Sequence, residues 1–278
     1  MIHKDITILI LLYKTSKSLL NNLILYKNFR IMILDQSNNA DTKKYLKEIL
    51  PNIQYYGLKK KNCGFAVAQN FLIRKVRTKY FFSTQPDIKI STNSILALKK
   101  SIDQFKDCLV SVPKIKGLKN YKANKKIKKK QFVIDTMIGA AFMAKKKKFI
   151  KFGMFDEDFF FYWEDIEFSS RIKKNGYRIY INLDSVAFHN SGTSSRNDFQ
   201  TLLIRNINFK YGEYLFFFKT KKLRLIKIIR QLFQNIIFII LNLIIFRFKK
   251  SLINLCYFFG ILKFLSFRIG FNYKNKIQ

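Results

Sequence analysis

The chain has 278 residues, enough to bury a full core as one large domain or as one domain with an appendage. A hydrophobic fraction of 49% excludes a disordered tail, and 53 Lys and Arg against 17 Asp and Glu leave a formal net charge of +36. That charge suits an anionic membrane leaflet, a phosphorylated substrate or a nucleic acid. Because the chain is also loaded with Ile, Asn and Phe and has only 10 Gly and 3 Pro, much of the lysine excess is compositional, and nucleic acid is set aside as a partner.

In chain order, the apolar run Ile6–Tyr13 is too short for a spanning helix and lacks a small-residue cleavage pattern, so it predicts a buried first strand. Ile31–Leu34 predicts a second strand, with a helical stretch from Thr15 to Asn28 between the two. Tyr80–Ser83 and Leu109–Val112 are further strand-length runs, and Ser91–Phe105 between them predicts a helix. Alternating strands and helices argue for an α/β domain with a largely parallel sheet, where ligands collect at the C-terminal ends of strands. Asp35 and Asp87 each follow such an end. From Lys114 to Lys130 there are nine lysines in seventeen residues, a solvated loop or a guide for an anionic acceptor. Lys145–Lys148 reads as a helix face beside the sheet. Cys63, Cys108 and Cys256 are scattered without a paired spacing, which indicates a reducing compartment and no structural zinc.

Six of the 17 acidic residues fall in the twelve positions from Asp156 to Glu167. Carboxylates this crowded repel one another and hold raised or coupled pKa values unless a cation or a helix N-terminus stabilises them. Two readings stand. In the first, Glu164, Asp165 and Glu167 occupy the first turn of a surface helix running to about Asn175, with a Glu167–Arg171 pair and Gly176 as its cap. In the second, the aromatic run Phe159–Trp163 walls a partly dry pocket in which a carboxylate becomes a stronger base.

After about Phe216 the composition changes, dividing the chain into 1–215 and a basic, apolar region 216–278. The uncharged stretch Gln231–Phe246 spans roughly 24 Å as a helix, short of the ~30 Å hydrocarbon core. Lys227, Gln231, Gln234, Asn235 and Asn242 recur at helical spacing. The pattern predicts an amphipathic helix in the membrane interface; a short or tilted span and a dimer-forming helix pair are the alternatives. Arg230, Arg247, Lys249 and Lys250 would contact lipid phosphates, which places the protein at the inner face of the cell membrane as a cytoplasmic, peripheral protein.

Five segments occur in a telling order: ILDQSNNAD at 33–41, NCGFAVAQN at 62–70, QPDI at 85–88, the long stretch from GAAFMA to YRIY at 139–180, and HNSG at 189–192. Together, over roughly residues 5 to 215, they resemble the bacterial glycosyltransferase family 2, in particular its rhamnosyltransferase-like branch. The resemblance implies a GT-A type α/β fold with a mostly parallel central sheet, followed here by C-terminal amphipathic helices. It also implies inverting transfer of a sugar, rhamnose for this branch, from a nucleotide-diphosphate donor to a glycan or polyprenyl-linked acceptor in surface-polysaccharide synthesis.

By the same resemblance Asp165 is the base that takes the acceptor proton. Asp87 is a ligand for Mg²⁺ or Mn²⁺, and His189 a second ligand or a phosphate contact. Asp35 and Tyr13 contact the nucleotide, Gly64 lets the backbone pass close to it, Asn70 holds that loop, and Trp163 and Glu164 support the acceptor pocket. Three departures bear on these roles. Leu12-Tyr13-Lys14 stands where the family often has Thr-Tyr-Asn, which frees Lys14 for a phosphate. Gln85 replaces an Asn or Asp, leaving one carboxylate for a metal that then binds mainly with the donor diphosphate. Glu167 replaces the last acid of the motif. A catalytically decayed, membrane-associated scaffold is the competing reading.

Overall fold

Strand β1 (His3–Leu12) occupies the middle of the architecture because both its faces are apolar. Ile6, Ile8, Ile10 and Leu12 join one hydrophobic cluster and Leu9 joins the other, each on its own side of the pleat. The computed structural model describes residues 3–58, 62–116, 130–189 and 198–268. Asn190, Ser191 and Gly192, most of the lysine-rich segment and the terminal 269–278 lie outside them.

Beyond β1 come one turn of helix α1 (Lys17–Leu20), a 3-10 segment (Asn21–Tyr26), strand β2 (Phe29–Asp35), helix α2 (Ala40–Ile49), strand β3 (Ile53–Gly57), helix α3 (Phe65–Lys75) and strand β4 (Tyr80–Thr84). These four strands are parallel, with β1 between β2 and β4 and β3 outside β2. The single helix expected over Thr15–Asn28 is instead a short turn tightened into 3-10 geometry. Its side chains bind outward: Asn22 Nδ2 donates to the Pro86 carbonyl at 3.0 Å, Asn21 accepts from the Tyr45 hydroxyl, and the Tyr26 hydroxyl donates to the Ile88 carbonyl at 3.1 Å. Asparagine favours such local and tertiary bonds over a continued α-helix.

The second half contributes β5 (Ile88–Ile90), α4 (Thr92–Gln104), β6 (Cys108–Lys116), β7 (Gln131–Ile134), β8 (Ala141–Lys145), α5 (Lys146–Lys151), α6 (Glu164–Lys174) and β9 (Arg178–His189). β8 runs antiparallel to both β4 and β6 and joins the parallel set to a parallel β6–β9 pair. β5 and β7 pair antiparallel with β9, completing one nine-stranded sheet with the main path β3-β2-β1-β4-β8-β6-β9-β5. The lysines at 145–148 end β8 and begin α5, as the sequence suggested.

Three helices close the described chain: α7 (Phe199–Lys219), α8 (Leu225–Ile244) and α9 (Phe248–Arg268). They pack on one another and on Phe159 in a third core containing Tyr211, Tyr214, Leu215, Ile228, Ile261 and Phe264. α8 turns Ile228 and Asn235 inward and leaves Ile226, Phe233, Ile237 and Ile240 exposed at helical spacing. At 20 residues, roughly 30 Å long, it exceeds the uncharged stretch read from the sequence and is long and apolar enough to cross a bilayer. The three cysteines are free and buried.

Candidate active site

The C-terminal ends of β1, β2 and β4 open onto a cavity of about 340 Å³. Tyr13 and Gln36 line one side, Gln85 and His189 another, Phe160–Tyr162 with Glu164 and Asp165 a third, and Thr201, Ile204 and Arg205 of α7 a fourth. Among the residues expected at the site, Tyr13, Gly64, Glu164, Asp165 and His189 therefore share one cavity. Asp35, Asn70, Asp87 and Trp163 lie behind its walls.

Asp165 sits in the first turn of α6, where a carboxylate gains from the helix dipole. Its Oδ1 accepts from the Ile166 amide at 2.9 Å and its Oδ2 from the Gly139 amide at 3.0 Å, so the loop before β8 fixes its orientation. Ser169 reinforces this, donating to the Asp165 carbonyl at 2.6 Å and accepting from the Met137 amide at 3.1 Å. Burial raises the Asp165 pKa, and the backbone amides partly offset it. Glu164 is 6% exposed, and its Oε2 has no hydrogen-bond partner among the described residues. Burial first, and the neighbouring Asp165 second, hold its carboxyl well above the ordinary range. Amide donors favour the charged form of Asp165, so Glu164 is the more strongly raised of the pair.

All three acids stand in the first turn of α6, as the first reading has it, and Glu167 makes the expected i, i+4 pair. Its carboxylate pairs with Arg171 at 2.7 and 3.0 Å, and the guanidinium continues to the Met154 carbonyl at 2.6 Å. The aromatic run divides: Phe160, Phe161 and Tyr162 face the cavity, whereas Phe159 and Trp163 turn toward α7 and its neighbours. The split requires an unusual backbone. Tyr162 and Trp163 are consecutive non-glycine residues at φ 68° and 72°, a left-handed corner just ahead of the two carboxyls. Trp163 thus supports the site from behind.

Gly64 is needed for both conformation and space. Its φ is 85° and ψ 177°, and a Cβ there would stand 2.2 Å from the Phe160 carbonyl oxygen. That carbonyl accepts from the Phe65 amide at 2.7 Å, locking the start of α3 to the aromatic loop. Asn70 extends the lock through bonds of its Nδ2 to the Phe155 carbonyl at 2.9 Å and to Glu157 at 3.0 Å. Asp35, 1% exposed, spends both oxygens on its own turn and on Tyr55: Ser37 donates twice, at 2.9 and 2.6 Å, and the Asn39 amide and Tyr55 hydroxyl donate at 3.1 and 2.7 Å. Lys14 is engaged as well, its Nζ donating to Asp198 at 3.2 Å and Gln200 at 2.9 Å at the start of α7.

Asp87 and His189 meet because β5 pairs with the end of β9, Ile88 opposite His189. His189 Nε2 lies 3.5 Å from Asp87 Oδ2. Among the described residues neither Asp87 oxygen has a hydrogen-bond partner, nor does His189 Nδ1, although all three atoms are buried. Buried orphan oxygen and nitrogen ligands side by side fit a divalent cation. Among the described residues no group of three or more His, Cys, Asp or Glu could hold a metal alone, so a cation here needs further ligands from a bound molecule. The α7 wall was not read from the sequence. Asp198 caps that helix through the Thr201 amide at 2.7 Å, and this N-cap ahead of a long apolar stretch was the available signal for Arg205.

The sheet order and a cavity at the strand ends define a GT-A type transferase fold. Residues 11–167, more than half of the chain, match the model of glycosyl transferase family 2, and the chain belongs to that family. Solved structures with the same fold include GalNAc-T7 with UDP, GalNAc and Mn²⁺ (14% identity, TM-score 0.58, covering 77% of this chain and 50% of that one). A mannosyltransferase from Pyrobaculum calidifontis with GDP-Man and Mn²⁺ is 13% identical, with TM-score 0.58 and coverage of 80% and 66%. S. aureus TarS with UDP-GlcNAc is 16% identical, with TM-score 0.55 and coverage of 77% and 65%. The chain thus spans less than two thirds of the length of each. No curated protein sequence matches it.

Proposed function

We propose that this protein is an inverting glycosyltransferase that moves a sugar from a nucleotide-diphosphate donor to a glycan or polyprenyl-linked acceptor. The observation that carries the reading is Asp165, held by two backbone amides in a largely apolar cavity that also reaches His189. A carboxylate so oriented removes the acceptor hydroxyl proton as the oxygen attacks the anomeric carbon from the face opposite the diphosphate. Glu164 beside Asp165, whose carboxyl burial holds above the ordinary range, would keep its proton and line the acceptor pocket. Gln85 and His189 line the same cavity and would face the donor diphosphate, with Asp87 beside His189. Asp87 and His189 would hold Mg²⁺ or Mn²⁺, which when bound supplies positive charge for the departing diphosphate. The neighbours crystallised with Mn²⁺ and nucleotides support that choice.

Rhamnose as the sugar is supported by the ordered motifs and by the apolar Ile138, Ala140 and Phe161 along the cavity, which suit a methyl in place of a hydroxyl. The exposed apolar face of α8, with Arg230 in its first half and Arg247, Lys249 and Lys250 just beyond its C-terminal end, supports peripheral attachment to the inner, anionic leaflet.

A thermal-shift panel of nucleotide diphosphates and their sugars, each with and without Mn²⁺, tests the reading on detergent-solubilised full chain. A shift that needs both the metal and one nucleotide is expected. Folded protein that responds to none would favour a scaffold that has lost its chemistry. For the membrane reading, Phe233→Glu with Ile237→Glu is expected to abolish flotation with anionic vesicles.

A further inference from the structure

The left-handed corner at Tyr162–Trp163 is held in place from outside the sheet domain. Gly212 of α7 lies so close that a Cβ would stand 2.9 Å from the Tyr162 carbonyl and 3.0 Å from Trp163 Cδ1. The Trp163 ring rests on Phe209, Phe216 and Phe217 of the same helix, with centroids 5.9, 5.5 and 6.1 Å away. At the far end of α7, Lys219 clamps the loop's other arm, with Nζ 2.5 Å from Asp156 and 2.6 Å from Asp158. The Tyr211 hydroxyl adds a bond to the Asp158 carbonyl at 3.3 Å.

α9 braces α7 in turn. Gly260 permits backbone contact, since a Cβ there would stand 2.5 Å from the Ile207 carbonyl and 2.8 Å from Lys210 Cβ. Lys263 donates to Asn208 at 2.6 Å and sits 4.6 Å from the Tyr211 ring and 5.5 Å from that of Phe160, a cavity-lining residue. The helical layer therefore reaches the aromatic loop at both ends and at its middle. Left-handed non-glycine pairs persist only where surrounding contacts over-determine them.

We infer that α7 and α9 are a positioning layer of the active site: they hold the Tyr162–Trp163 corner and thereby aim Glu164 and Asp165 into the cavity. The helices read from sequence as a membrane appendage thus do a second job, and Lys219, Gly260 and Lys263 are positioning residues. This builds on the reading of Asp165 as the base, but its test does not depend on turnover.

Trp163 is the only tryptophan in the chain and forms the corner itself, so its fluorescence reports the contact directly. Emission and acrylamide quenching would be measured on full chain in detergent for Gly260→Leu, Lys219→Met, Lys219→Arg and the exposed-face control Phe233→Glu. Gly260→Leu and Lys219→Met are expected to move Trp163 emission to longer wavelength and increase its quenching while cooperative melting persists. Lys219→Arg is expected to restore the wild-type spectrum, and Phe233→Glu to leave it unchanged. Wild-type emission and quenching in Lys219→Met would overturn the inference, and that variant carries the test should Gly260→Leu fail to fold. Loss of nucleotide-dependent thermal shift with these spectra intact would count against the transferase reading and not against the positioning layer.

Discussion

Substituting Gly64 by alanine separates two costs that the structure superimposes at one residue. The backbone there, φ 85° and ψ 177°, lies in a region that side chains avoid at about 1–3 kcal/mol. The new Cβ would also stand 2.2 Å from the Phe160 carbonyl oxygen, a backbone atom that cannot rotate away. Displacing that carbonyl breaks its 2.7 Å bond from the Phe65 amide, and a buried amide left unpaired costs about 1–3 kcal/mol more. Gly176 is the internal control: its φ is 76°, but a Cβ there meets nothing within 4 Å, so Gly176→Ala carries only a left-handed cost of about 1–2 kcal/mol. Denaturant melts of both variants followed by Trp163 emission should rank Gly64→Ala below Gly176→Ala, with only the former weakening nucleotide-dependent stabilisation. Equal losses would refute the claim that close approach to Phe160, and not φ alone, fixes glycine at 64.

Three further outcomes are expected. Asp165→Asn should lower transfer by about 10²- to 10⁴-fold, the usual worth of a general base, while the nucleotide-dependent thermal shift survives; retained turnover would remove Asp165 from that role. Because the folded-state pKa of Glu164 is raised, its contribution to stability is full below the ordinary glutamate value and is lost as pH rises through the raised one. Glu164→Gln should therefore lose less stability between acid and mildly alkaline pH than wild type in paired melting curves, and parallel curves would contradict the buried-proton assignment. Asp87→Asn should abolish the Mn²⁺ dependence of nucleotide binding, because it removes the carboxylate beside His189. Metal-dependent binding that persists in the variant would exclude Asp87 as a ligand.

The strands that carry the site were legible because burial on both faces leaves an apolar run, as in Ile6–Leu12 and Ile31–Leu34. The expected helix 164–175 and its Glu167–Arg171 pair were equally local, set by i, i+4 spacing. What stayed hidden depends on contacts far apart in sequence. Asp35 and Asn70 lie in recognisable motifs, yet only the fold shows their side chains turned onto Tyr55 and onto the loop at Phe155. Nor does the alternation of aromatics in Phe159–Trp163 disclose which rings face the cavity, because two left-handed residues break the regular period. The antiparallel β8 is a further case, since its pairing with β4 joins residues 80 and 145 through no local signal.

The burial of all three cysteines has a practical side. Burial pushes the thiols of Cys63 and Cys108 up to about 12 and raises that of Cys256, so the reactive thiolate is scarce at neutral pH. The native chain is thus a quiet background for thiol labelling. A single Phe233→Cys or Ile237→Cys placed on the exposed face of α8 would react far faster than any native site. A polarity-sensitive dye there would report how deeply α8 enters a bilayer, with every native cysteine left in place.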